Sequence, residues 1–202
     1  RQILTWGTGD LLFINDLFPK DWQSFFIGRD VEYLKSPSDA VKTAFFSDAG
    51  TLEVVYTPKF DPDRFITGER LSYYNAATGL TAGRNAVVST DRPNDWLDDD
   101  EWAVRLSRNV GGYELALYGY DGFWKSPGGI DASGRATFPR LSAYGASSRG
   151  QFAGGIGNLE AGYYDSREDS SGGNPFINNS QMRFLAGYER DLKQLARDLT
   201  VG

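Results

Sequence analysis

The segment EWAVRLSRNVGGYELALYGYDGFW, residues 101–124, carries a whole β-hairpin with both of its faces labelled. In the first arm Trp102, Val104 and Leu106 alternate with Glu101, Ala103, Arg105 and Ser107. In the second, Tyr113, Leu115 and Leu117 alternate with Glu114, Ala116, Tyr118 and Tyr120. Successive side chains on a strand point to opposite faces, so one face of this hairpin is apolar and the other is charged or small. Between the arms lies Asn109-Val110-Gly111-Gly112, whose glycines supply the positive φ that a tight strand reversal needs.

The same pattern returns on either side. Ala40–Phe60 reads as a hairpin turning at Ser47–Gly50. Phe138–Ser148 and Ile156–Tyr164 form another, joined by the glycine-rich Arg149–Gly155. Gln181–Tyr188 opens a last one, turning through Asp191–Arg197, where DLKQLARD favours one helical turn. Taking one charge from the polar face of each strand gives Lys42, Glu53, Arg105, Glu114, Arg140, Glu160 and Arg183, so the sign alternates from strand to strand. Opposite charges on neighbouring strands help and like charges hurt. The order therefore predicts sequential antiparallel pairing, an all-β up-and-down meander of about 8–10 strands whose polar face is crowded enough for charge to matter.

Between the strands the chain is irregular. Residues 7–39 form an excursion rich in aromatics, in which Asn15 or Asp16 caps one helical turn and Pro19-Lys20-Asp21-Trp22 starts another. Residues 59–100 form the longest loop, with a short strand expected at Ala86–Ser89. Lys125–Thr137 and Asp165–Asn179 are polar loops. Short turns and long loops thus alternate, which in a meander gathers all the large loops at one end. Arg1–Trp6 and Leu199–Gly202 both read as strand, so the expectation is a single domain cut from something longer.

Composition excludes several classes of function. The 202 residues carry a net charge of −6 and no stripe of basic residues, so nucleic acid is not an expected partner. With no cysteine and no histidine the chain has no thiolate nucleophile, no disulfide and no Ser-His-Asp triad of its own. Gly154-Gly155-Ile156-Gly157 is followed by no helical pattern, which removes the phosphate-loop reading. The loop acids Asp61, Asp63, Asp98, Asp99 and Asp100 are candidates to gather Ca²⁺, although their spacing matches no EF-hand and a solvated acidic loop explains them as well. Acids near aromatics also fit a pair for glycoside hydrolysis, yet the sequence singles out no pair. No catalytic residue and no cofactor is therefore expected.

The stretches ILTWGTGD, GGYELALYGYDGFWKSP, GIGNLEAGYYDS and MRFLAGYERDL resemble the strands of Gram-negative outer-membrane β-barrel proteins of the porin type. The resemblance is one of alternation and turn spacing over most of the chain, and it departs from the family in lacking an aromatic-ended last strand. It implies a transmembrane barrel, or part of one, in the outer membrane. Its apolar band would face lipid and its lumen would be lined by Lys42, Glu53, Arg105, Glu114, Arg140, Glu160 and Arg183. It further implies that the 7–39 excursion folds into the lumen as a constriction bearing Lys20, Asp21, Arg29 and Asp30, or else lies on the surface. The function implied is passive diffusion of small hydrophilic solutes or ions, without a reaction, by a protein that could be oligomeric. Two other readings stay open: a soluble or surface β-domain that binds carbohydrate through aromatic loops, and a barrel wall that holds a partner protein. Alternation alone does not say which face is inside.

Overall fold

The structure is a computed structural model, and it describes residues 2–9, 11–75, 78–192 and 200–201. Strands β1 (Gln2–Ile3) and β2 (Pro37–Ser38) pair with each other, so the segment between them leaves and returns to one place. That segment holds a short helix, α1 (Trp22–Phe26), and a 3-10 turn, Val31–Leu34. The next hairpin is β3 (Val41–Ser47) with β4 (Gly50–Thr57). The long loop contains a small hairpin, β5 (Tyr73–Asn75) with β6 (Leu80–Ala82), and then β7 (Thr90–Asp91). The central hairpin is β8 (Glu101–Val110) with β9 (Tyr113–Phe123). After β10 (Gly129–Ile130) and β11 (Ala136–Thr137) come the long β12 (Arg140–Phe152) and β13 (Gly155–Ser166), then β14 (Gln181–Asp191) and β15 (Thr200–Val201).

Eight of these strands form one antiparallel sheet in the order β15, β14, β13, β12, β9, β8, β4, β3. Its long strands follow one another in chain order. The tight turns at 48–49, 111–112 and 153–154 therefore lie at one end, and the connections 58–100, 124–139 and 167–180 lie at the other. Gly111 and Gly112 have φ of +58° and +87°, the two positive values of the turn that suits the twist of paired strands. Ala153-Gly154 repeats that turn, with φ of +48° and +80°. The strands around it outlast the sequence expectation: of Arg149–Gly155 only Ala153-Gly154 is a connection, the rest being the paired ends of β12 and β13. Other expectations also shift. Ala86–Ser89 is not a strand, Arg1–Trp6 contributes only β1, and the helical turn expected within 191–198 falls mostly on 193–199, outside the described residues.

Among the described residues the sheet is open. Its edges are β3 on one side and, on the other, β14 with only Arg190 and Asp191 paired to β15. No helix among the described residues is long and apolar enough to cross a membrane.

The two faces have opposite fates. Trp102, Val104, Leu106, Leu115, Leu117, Leu159, Met182 and Phe184 project from the bare face, with Leu117 at 59% and Phe184 at 72% exposure. The other face is covered: Glu53, Val55, Ala103, Ala116, Ser147 and Glu160 are buried there. The residues that cover it belong to the 4–36 segment, hereafter the strap. Leu4, Trp6 and Phe18 form one core with Val55, Ala103, Tyr120, Trp124, Leu141, Ala143 and Tyr164. A smaller cluster of Phe60, Phe123 and Phe138 closes the long-loop end.

Candidate functional site: the strapped face

Small side chains make the seat for the strap. Gly145 on β12 and Gly162 on β13 stand directly opposite each other in the ladder. A Cβ at Gly145 would run into Oδ1 of Asn15, and one at Gly162 would lie 2.8 Å from Cγ2 of Ile14. Glycine within a strand loses packing and gains backbone entropy in the unfolded chain, so a facing pair marks a close approach. Here the approach is that of the strap, lying on a notch with no side chains.

Glu160 fixes the strap at this notch. Its Oε1 accepts from the backbone N–H of Thr8, from Thr8 Oγ1 at 2.8 Å and from the N–H of Gly9 at 3.0 Å. Its Oε2 accepts from the N–H of Asn15 at 3.3 Å and from Asn15 Nδ2 at 3.0 Å. The residue is only 3% exposed, and no cation pairs with it among the described residues. Hydrogen bonds to the charged form replace the water that a buried carboxylate loses. Two further contacts flank it, Asn158 Nδ2 to the carbonyl of Thr8 at 3.1 Å and the Tyr164 hydroxyl to the carbonyl of Ile14.

A second polar cluster ties the strap to the long loops. Asp21 caps α1, accepting from Ser24 N at 2.9 Å and Ser24 Oγ at 2.8 Å, and pairs with Arg64. Asp63 accepts from the N–H of Lys20 at 2.7 Å, from Trp22 Nε1 at 3.1 Å and from Ser126 Oγ at 2.6 Å. Lys20 Nζ lies 3.1 Å from Asp16 and donates to the carbonyl of Phe18 at 2.7 Å. Burial pulls the Lys20 ammonium below its ordinary range, against Asp16 and Asp63, which favour its charge. Nearby, Lys125 Nζ holds both oxygens of the buried Glu101, at 2.7 and 2.6 Å, and the Tyr120 hydroxyl donates to the same carboxylate at 2.6 Å.

The seven charges expected on the polar face divide into two sets. Four form a continuous chain: Lys42 pairs with Glu53, Glu53 with Arg105 at 2.9 Å, and Arg105 with Glu114. Only Glu53 and Arg105 are directly opposite in register; the other two pairs are diagonal. The remaining three do not continue it. Glu160 serves the strap. Arg140 is corrected to the other face, because the two-residue period through Leu141, Ala143 and Gly145 places it with Tyr144 and Ala146. It stacks 4.3 Å from the Phe123 ring and donates to the carbonyl of Asp98 at 2.9 Å. The arginine that does stand opposite Glu114 is Arg149, and it pairs with Glu189 at 3.0 Å. Arg183 shares the face of Glu160 but lies over the rings of Tyr164, at 4.0 Å, and Trp124, at 5.7 Å.

The four residues expected at a constriction also separate. Lys20 and Asp21 are buried and spend their charges on Asp16, Ser24 and Arg64, whereas Arg29 and Asp30 are exposed, with Arg29 5.2 Å from the Tyr33 ring. Of the two capping residues expected for a first helical turn, neither begins one: Asn15 binds Glu160, and Asp16 accepts from Thr5 Oγ1 at 2.7 Å. The loop acids are dispersed, and among the described residues no three carboxylates come together in a way that would hold a metal ion. Thr8, Gly145, Gly162 and Lys125 were not singled out in the sequence, and Asn15, Asp63 and Glu101 were read there in other roles, as a helix cap, a Ca²⁺ candidate and a strand position. The mid-strand glycines were the available signal for two of them; the others depend on contacts between residues up to 152 apart.

Beside the strap, toward β14, lies a cleft of about 550 Å³ between Phe13, Lys20, Trp22, Trp124, Tyr164 and Arg183. No family model matches the chain, and neither a curated protein nor a solved structure does.

Proposed function

We propose that the chain forms wall and inner strap of an outer-membrane β-barrel through which small hydrophilic solutes diffuse passively. The observation that carries this reading is the inversion of the usual sheet: the large apolar side chains stand on the bare face, while Glu160 and the chain from Lys42 to Glu114 stand on the covered one. A sheet in water buries its greasy face, and apolar patches beyond a few hundred Å² mark contact with a membrane or a partner. Here leucine, valine and phenylalanine run across the bare face from β4 to β14. Rings flank them at the two ends of the strands. Tyr56 and Trp102, 4.6 Å apart, stand toward the long loops, and Tyr113, Phe152 and Tyr188 toward the tight turns. That is the arrangement of an apolar band between aromatic girdles. Strands β8, β9, β12, β13 and β14, of 10 to 13 residues, are long enough to cross hydrocarbon at a tilt.

A lumen lined by both signs of charge selects solutes by field and diameter, without chemistry. The reading requires the edges at β3 and β14 to be closed by further strands. One observation favours a second reading, that of a wall without a pore: the strap already fills much of the charged face with Trp6, Phe18 and Leu4.

The test is to reconstitute the full chain in planar bilayers and in vesicles. Stepwise ion conductance supports the pore. Stable insertion without conductance supports the wall. A protein that stays monodisperse without detergent and does not partition into vesicles overturns both, and leaves a carbohydrate-binding domain as the better account.

A further inference from the structure

We propose that the cleft at Arg183 is a binding subsite for a small organic carboxylate with an apolar ring, the guanidinium taking the carboxylate and the aromatic walls taking the ring. The argument begins with the charges around the cleft. Lys20 is matched by Asp16, and Lys125, at its rim, by Glu101. Asp63 has three donors of its own. Among the described residues, Arg183 alone of the cleft's cationic side chains has no partner of opposite sign. Its Nε donates to Gln181 Oε1 at 3.2 Å, and no carboxylate of the described residues lies within ion-pair distance.

Its posture suits a ligand. The guanidinium is held over the Tyr164 ring at 4.0 Å, with the buried Trp124 beside it at 5.7 Å. A guanidinium stacked on a ring is fixed in orientation while its terminal N–H groups stay in plane and available. Those donors form the fork that fits a carboxylate bidentately. Around them the cleft presents Trp22 and Phe13, 6.1 Å apart and edge-on, with Leu12 and Leu185 beyond. A volume of about 550 Å³ lies in the range of small-molecule sites, apolar walls with a few polar groups that fix orientation.

The site stands on the geometry of the cleft and does not need the pore reading, so silence in a conductance experiment would leave it intact. The test uses the full chain in detergent micelles, with para-fluorobenzoate as probe, followed by fluorine NMR and by quenching of tryptophan emission. Benzoate should bind about tenfold or more tightly than neutral benzamide, because only the carboxylate receives charged hydrogen bonds. Acetate, which lacks the ring, should compete poorly. In Arg183→Gln the preference for benzoate over benzamide should vanish while benzamide binding is retained. In Arg183→Lys the preference should persist in weakened form, the charge surviving without the fork. Equal binding of benzoate and benzamide by the unaltered protein overturns the proposal whatever the variants do. Acetate competing as well as benzoate overturns the part given to the aromatic walls, as an Arg183→Gln protein that still prefers benzoate overturns the part given to Arg183.

Discussion

The charged face of the sheet has two halves that solve one problem differently. Across β3, β4, β8 and β9 the ions neutralise one another, Lys42 to Glu53 to Arg105 to Glu114, in a chain that runs from strand to strand. Across β12, β13 and β14 the carboxylate of Glu160 has no cation among the described residues; backbone and side-chain N–H groups of the strap do what a cation would do. The difference follows from what lies above each half. In the first half water reaches the ends of the chain at Lys42 and Glu114, and the buried Glu53 between them answers its desolvation with two cations. Where the strap presses onto the sheet, the notch of Gly145 and Gly162 admits a main chain, and it is this main chain that brings N–H groups to Glu160. A strand ladder therefore holds the first half together, whereas the second half holds something else in place.

The sharpest way to break this comparison is to remove the carboxylate that serves the strap. Glu160→Ala should cost roughly 3 kcal/mol or more, because each buried donor left without a partner costs about 1–3 kcal/mol. Trypsin should then cut the strap at Lys20, Arg29 or Lys35 well before it cuts the sheet. Uniform loss of protection across the whole chain would show instead that strap and sheet fold as one unit.

The notch offers the next test. Gly145→Ala places a methyl group against Asn15 Oδ1 and should destabilise the protein by about 1–3 kcal/mol, the usual cost of overpacking. Because the nearest clash is with the Asn15 side chain, the carbonyl of Ala161 following at 2.9 Å, Asn15→Ala in the same protein should recover part of the loss, so that the double variant costs less than the two single ones added. Strict additivity would mean that Asn15 does not rest on Gly145.

How much of this was legible beforehand depends on the range of the interaction. The alternation in residues 101–124 and the turns at Ser47–Gly50 and Gly111-Gly112 are local, and they gave the strands and the meander. The charge order held as far as Glu114, because one charge per strand fell on a single face, although only Glu53 and Arg105 stand directly opposite each other. It failed at Arg140, whose position is one residue out of phase with Leu141 and Ala143, so that Arg149 takes the place opposite Glu114. A period of two makes such an error complete, since a slip of one residue changes the face. The strap's seat was hidden for a different reason: Thr8 and Asn15 meet Glu160 across 152 and 145 residues, and no spacing within the chain announces that. The paired mid-strand glycines were its one local trace. The hairpin of β5 and β6 was overlooked because Leu80, Thr81 and Ala82 are too few to show a period.

A smaller effect tests the ladder half. Glu53→Gln removes the negative charge that Lys42 and Arg105 share and should cost about 1 kcal/mol, because Arg105 keeps Glu114 and water still reaches Lys42. It should leave the protection of the strap against trypsin unchanged, which is the contrast with Glu160→Ala. High salt should shrink the difference between Glu53→Gln and the unaltered protein and should leave the cost of Glu160→Ala nearly as it was, because screening acts on charges near water and hardly on a carboxylate bound by buried N–H groups.

The smallest expected effect comes from Lys20, the cation that pairs with Asp16 within the strap, beside the second cluster. Its pKa in the folded protein lies below the ordinary 10.5, chiefly through burial. Between that lowered value and 10.5 the unfolded chain holds a proton that the folded one has released, so raising the pH through this window favours the folded state, and the gain is complete above 10.5. Below the folded value the cost of burying the charge is present in full. The stability of the unaltered protein minus that of Lys20→Met should therefore rise with pH on the alkaline side, the titrations of tyrosines elsewhere cancelling in the difference. A difference that falls over the same range would mean that Asp16 and Asp63 outweigh burial and raise the pKa. The strap would then be held at Lys20 by the ion pairing that holds the ladder, and the contrast between the two halves of the sheet would end short of the strap's middle.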